Sequence, residues 1–233
     1  SCQEDDSVTS NYQTEFGIFS LFEPDRIAEV GAQCTRLILK DSEITDYIAA
    51  VDSGTDPMSI EFVNRFVSLH ESGVSIILTT RWVHPQNDRY DRVPQGSDRA
   101  TQLDNLARLL TYIGPYIDVY SIQNEVGAGG PGSYYDEDME GDSWQEIPAI
   151  QWWVSVAETA RQTISSDSTL SHLRIASPVP IGLRAFASNP DLLLEEDVQV
   201  TFFEELFDFA NQYCDYMDIH LNNNSLDLMR EMI

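Results

Sequence analysis

Short apolar runs take turns with amphipathic stretches along this 233-residue chain, and that alternation limits its fold more than any other feature. The runs FGIFSLF (16–22), CTRLILK (34–40), VSIILTT (74–80), YIDVYSIQ (116–123), LRIASP (173–178) and YMDIHL (216–221) are short, apolar and partly β-branched, as buried strands are. Between them lie segments with helical spacing: DRIAEVGA after Pro24, then 58–73, 99–114, 149–164 and 200–213. In 58–73, Ile60, Val63, Phe66 and Val67 share one face and Gly73 closes the segment. Pro24 before and Gly31 after the first short helix follow the usual Pro-first, Gly-last order. No internal sequence repeat or low-complexity linker interrupts the pattern.

Six β/α alternations demand parallel strands joined by helical crossovers, and near-continuous apolar strands imply cover on both faces. Two architectures satisfy this, an open doubly wound sheet and a closed eight-fold barrel. A doubly wound nucleotide fold places a Gly-rich fingerprint after its first strand, whereas SLFEPDR follows here. The expected fold is therefore an α/β, TIM (β/α)8 barrel, incomplete, with about six of eight units. A barrel needs about 250 residues, so the sequence reads as a piece of a longer protein. Residues 1–14 form a polar tail, and 15–233 form the partial barrel.

Composition narrows the partners. Thirty-nine acids against thirteen bases give a net charge of −26, a field that repels nucleic acid and anionic membranes. Lys40 is the single lysine. Such a surface suits a protein living in high salt, where screening removes self-repulsion, and equally an acidic secreted protein. No apolar run reaches the roughly 20 residues that span a bilayer. Cys34 and Cys214 adjoin apolar runs and read as small core residues rather than a disulfide framework. Cys2, in SCQEDDSVTS, resembles the junction left by a bacterial lipoprotein signal, with Cys2 carrying the lipid; localisation would then be secreted or at the cell surface. The apolar stretch that such a signal needs before the cysteine is absent from the sequence.

In a barrel, reactive groups sit at the C-terminal ends of the strands. Those ends supply Arg36, Arg81-Trp82, Asn124-Glu125, Ser177 and His220. Each has a plain alternative: Arg36 paired with a core acid, Trp82 as packing, Glu125 as a solvated strand end, His220 as a satisfied core histidine. Taken together they resemble clan A of the retaining glycoside hydrolases, whose fourth strand ends in Asn-Glu, here SIQNEV. The resemblance implies that Glu125 is the general acid/base and that Asn124 hydrogen-bonds the 2-hydroxyl of the sugar being cleaved. It also implies that Arg36 supports the nucleophile and that His220 lines the site. Asn222 departs from families with an aromatic two residues after that histidine. The nucleophile of the clan, a glutamate ending strand seven, has no counterpart here, so this stretch alone is expected to be inactive.

The pairing has a physical basis. Retaining cleavage needs two carboxyls about 5–5.5 Å apart, one attacking carbon while the other protonates the departing oxygen. The acid keeps its proton because apolar surroundings and the partner's charge raise its pKa. An asparagine cannot ionise, so it stays neutral beside two acids and still binds a hydroxyl. Trp82, Tyr90, Tyr134, Tyr135 and Trp144 stand in polar loops, where aromatic faces cover sugar rings or simply pin the loops.

The expected activity is hydrolysis of a β-linked poly- or oligosaccharide by retaining double displacement, with no cofactor. The alternative is a non-catalytic carbohydrate-binding surface protein on a degenerate barrel. Histidines 70, 84, 172 and 220 show no metal-ligand spacing, and DEDMEGD does not match an EF-hand loop, so no metal is expected.

Overall fold

A computed structural model describes residues 17–19, 27, 31–82, 90–124, 126, 133–134, 136–179 and 197–218. Its centre is a parallel sheet of five strands, β1 (Gly17–Phe19), β2 (Cys34–Lys40), β3 (Ser75–Arg81), β5 (Val119–Ser121) and β7 (Arg174–Ala176). A separate parallel pair joins β4 (Tyr90–Asp91) to β6 (Ser133–Tyr134). In the main sheet each strand neighbours the next in chain order. A doubly wound sheet reverses its order at a switch point; no reversal occurs among these strands. A bridge from Ala176 to Tyr216 carries the order one step further.

The helices are α1 (Asp41–Asp52), α2 (Glu61–Glu71), α3 (Gly96–Ile113), α4 (Asp136–Met139), α5 (Pro148–Ser166) and α6 (Asp197–Tyr213). Helix α1 is an addition to the sequence expectation, which passes from CTRLILK directly to 58–73. It starts because the Glu43 carboxylate turns back to accept the Lys40 backbone N–H at 2.8 Å, satisfying a donor at the helix start. Its Ile44, Tyr47 and Ile48 are buried. Val63, Phe66 and Leu69 of α2, and Leu106, Leu109, Leu110 and Ile113 of α3, form matching buried stripes. Gly73 ends α2 at φ +75°, a left-handed conformation that favours glycine.

Helix α1 packs on α3, α3 on α5, and α5 on α6, so the crossovers stand side by side. Along β2, Thr35, Leu37 and Leu39 are buried while Cys34, Arg36 and Ile38 remain partly exposed. Leu37 pairs with Leu78, and Arg36 with Ile77, which in turn pairs with Val119. Aligned residues of parallel strands share a face. One face therefore meets the helices, and the other, with Arg36, Ile77 and Val119, is a less covered inner face.

The core between sheet and helices is aromatic. The Trp82 and Trp152 rings meet edge to face at 5.5 Å, and both are fully buried with Trp153 and Tyr120. The Tyr120 hydroxyl lies 3.0 Å from Thr80 Oγ1, which donates to the Ile122 carbonyl. The N-terminal strand ends are tied by two aspartates. Asp118 N–H donates to the Ile76 carbonyl while its carboxylate accepts the Ile76 N–H at 2.8 Å. Asp215 does the same to Ile175, at 2.7 and 2.8 Å.

The fourth expected strand shortens from 116–123 to Val119–Ser121, because Pro115 lies in a 3-10 turn over Gly114–Tyr116 and offers no ladder donor. The fifth shortens to Arg174–Ala176. Neither Cys34 nor Cys214 is held in a disulfide, as expected. No helix among the described residues is long and apolar enough to cross a membrane.

Candidate active site

The inner face carries a connected polar group. Arg36, on β2, donates from Nη1 to Thr79 Oγ1 of β3 at 2.8 Å and from Nη2 to Asp218 Oδ1 at 2.7 Å. The other carboxylate oxygen of Asp218 accepts from Ser121 Oγ of β5 at 2.8 Å. The Asp218 N–H donates to Ser177 Oγ at 3.0 Å. Residues from β2, β3, β5, the end of β7 and the following segment are thus joined.

This group also reports the shape of the sheet. Asp218 follows Tyr216, which stands four steps from β2 in the strand order. At ~4.8 Å per step a flat sheet would separate them by about 19 Å. An arginine and an aspartate in direct contact cannot span that distance, so the sheet curls toward its inner face. The pair is largely withdrawn from water, with side chains 12% and 10% exposed. Two charges at that depth are held only with good geometry and further hydrogen bonds, which Thr79 and Ser121 supply.

Asn124 lies just beyond the C-terminal end of β5. Its N–H donates to the Thr80 carbonyl at 3.0 Å, which fixes it beside β3. The residue is 7% exposed, and its side-chain carbonyl Oδ1 is buried with no hydrogen-bond partner among the described residues. An unmet acceptor at that depth costs free energy, and the donor it lacks is an N–H or O–H. Neighbouring Gln123 is fully buried and accepts the Trp82 N–H at 3.2 Å.

The other expected site residues fall in different places. Arg36 pairs with an acid, Asp218, the plain alternative that its sequence position allowed. Trp82 is 1% exposed and its indole N–H donates to the Ile122 carbonyl at 3.3 Å; it packs the core on the helix side. The Trp144 ring meets Tyr213 edge to face at 5.7 Å, and the Trp144 backbone N–H donates to the Glu205 carboxylate at 2.6 Å, which ties the residue to α6. The Tyr134 backbone pairs with Asp91, while its side chain lies outside the described residues. Glu125 and His220 also lie outside them. The structure brings together Arg36 and Asp218, and sequence spacing gave no signal for that acid beyond its place on an expected strand, two residues before His220. No cluster of three or more metal-ligating side chains occurs among the described residues.

No protein-family model matches the chain, and no curated protein matches it. Among solved structures it is similar to a family 39 glycoside hydrolase from Bacteroides cellulosilyticus WH2, at 12% identity and a TM-score of 0.45, over 70% of this chain and 31% of that one. It is also similar to a glycoside hydrolase family 30 subfamily 8 xylanase from Clostridium acetobutylicum, at 15% identity and 0.47, over 90% of this chain and 50% of that one. A D-psicose 3-epimerase from Clostridium cellulolyticum H10 matches at 11% identity and 0.38, over 71% and 52%. The chain spans half or less of the two glycoside hydrolases, and no activity follows from similarity at this level.

Proposed function

We propose that the whole protein carrying this chain is a retaining glycoside hydrolase built on a (β/α)8 barrel and acting on a β-linked poly- or oligosaccharide. The observation that carries the reading is Asn124. A neutral amide at the end of β5, buried and with a carbonyl acceptor unmet among the described residues, suits a sugar hydroxyl as its missing donor. The sequential parallel order and the curl of the sheet support the barrel. Glu125, next in sequence, then acts as general acid on the departing oxygen and as general base on the incoming water. A second carboxylate, acting as nucleophile, completes the pair. A polymer substrate also agrees with a secreted or surface location, with Cys2 as the lipid attachment point.

The test is hydrolysis of a panel of aryl β-glycosides by the whole protein, with the anomeric configuration of the first product followed by NMR. Retention is expected. Inversion, or activity that disappears with a chelator, would overturn the mechanism. Sugar binding without turnover would instead make the protein a carbohydrate-binding surface protein.

A further inference from the structure

Asp218 belongs to no motif, yet its carboxylate touches β2 and β5 together. One oxygen takes Arg36 Nη2 at 2.7 Å and the other takes Ser121 Oγ at 2.8 Å. Its own N–H is held by Ser177 Oγ, so the carboxylate is anchored at its base. Ser121 is fully buried and lies three residues before Asn124. Its hydroxyl hydrogen is shared between Asp218 and the Ser177 carbonyl, 3.2 Å away. Hydrogen bonds along the backbone keep strands adjacent, but they leave open how the inner-face side chains are disposed across the curl. A charged, bridging side chain fixes that disposition.

We infer that Asp218 is a positioning residue for the proposed sugar site: through Ser121 it sets the end of β5 that carries Asn124, and through Arg36 it holds β2 to the same point. The inference rests on the glycosidase reading. Asp218 touches no reacting atom in this scheme. Its effect passes through Asn124 and therefore depends on the sugar hydroxyl that Asn124 binds. Geometry of this kind matters in catalysis, since a ~1 Å misplacement can cost ~10²-fold in rate.

The experiment uses the whole protein and two aryl glycosides that differ only in the 2-hydroxyl. Asp218→Asn keeps an acceptor for Ser121 but leaves the Arg36 guanidinium without its counter-charge, which can unfold the protein. Ser121→Ala is the safer variant, because the Arg36–Asp218 contact stays whole. For Ser121→Ala, kcat/KM should fall ~10²-fold on the hydroxylated glycoside. On the 2-deoxy glycoside it should fall by no more than about threefold, since the Asn124 contact that the displacement weakens is missing there. Loss of only folding stability would act alike on both substrates. An equal fall on both, or no fall on either, overturns the positioning role while the glycosidase reading stands. If the wild-type protein cleaves neither glycoside nor any other β-linked substrate, the glycosidase reading falls and takes this inference with it.

Discussion

Asp118 grips Ile76 at both ends of one residue, its N–H donating to the Ile76 carbonyl at 3.0 Å and its carboxylate accepting the Ile76 N–H at 2.8 Å. That N–H belongs to the start of β3, one residue before its pairing with β5 begins at Ile77 and Val119. The grip recurs at Asp215 and Ile175, in the related triplets Tyr116-Ile117-Asp118 and Tyr213-Cys214-Asp215. Both aspartates sit at the strand end away from the candidate site, where a barrel keeps its stabilising residues. Asp118→Ala should leave the Ile76 N–H unpaired and cost ~1–3 kcal/mol. Urea unfolding measures the loss, and hydrogen exchange locates it. Unchanged protection of the Ile76 amide in the variant would mean that the carboxylate does not seal this strand end.

Trp82 separates packing from substrate binding. Its ring is buried against Trp152 and its N–H is satisfied by the Ile122 carbonyl. Removing such a side chain leaves a cavity, and Trp82→Ala should cost ~3–5 kcal/mol. Trp82→Phe, which keeps much of the volume, should be milder and should leave KM for any glycoside unchanged. A raised KM with stability intact would return the ring to the sugar.

How much of this was legible in the sequence depends on how local each signal is. The strands and most helices follow from apolar spacing within a dozen residues. Helix α1 carries the same spacing in Ile44, Tyr47, Ile48 and Val51, but no proline opens it and no glycine stands directly after Asp52. Its cap is the reach of Glu43 back to Lys40, a side-chain geometry more than a composition. Asn124 stands out because a polar residue ends a β-branched run. Asp218 does not, because its partner Arg36 lies 182 positions away and only the curl of the sheet makes them neighbours. Trp82 and Trp144 show the opposite problem. Aromatic residues in polar stretches read alike whether they face a ligand or fold back onto a helix.

Burial protonates several groups in the folded state. The Cys214 thiol is pushed up to about 12 by burial, against the pull of Arg161. Tyr47 is likewise raised to about 12 by burial, with Tyr112 and Asp56 adding to the effect, and burial also raises Tyr120. In the unfolded chain these groups titrate near their ordinary values of about 8.5 and 10. Above those values the unfolded state holds fewer protons than the folded one, so stability falls as pH rises. Unfolding free energy should therefore decline steadily between roughly pH 9 and 12, and Cys214 should resist iodoacetamide at pH 8 until denaturant is added. Rapid native-state labelling of Cys214, read by mass spectrometry, would place that thiol at the surface.

The net charge of −26 makes salt a direct probe of self-repulsion. Added salt shortens the Debye length from ~10 Å at 0.1 M to ~3 Å at 1 M, so distant carboxylates cease to repel. The melting temperature should rise with potassium chloride over that range, and the hydrodynamic radius of the unfolded chain should shrink. A melting temperature that falls with salt would mean that paired charges such as Arg36–Asp218 outweigh the repulsion.

Glu125 is decided by leaving groups. If it protonates the departing oxygen of the whole enzyme, Glu125→Gln should slow cleavage of alkyl glycosides by ~10²–10⁴-fold, the usual worth of general acid catalysis. That corresponds to roughly 3–5 kcal/mol of barrier. A dinitrophenyl leaving group needs little protonation, so its first step should be nearly spared. Water attack on the glycosyl-enzyme would then lack its general base, and the intermediate should accumulate as a burst of dinitrophenolate. Azide, a nucleophile that needs no base, should restore turnover of the dinitrophenyl substrate and yield a glycosyl azide. Equal losses on both substrates, with no burst and no azide rescue, would leave Glu125 as a solvated strand end and move the acid elsewhere on the rim.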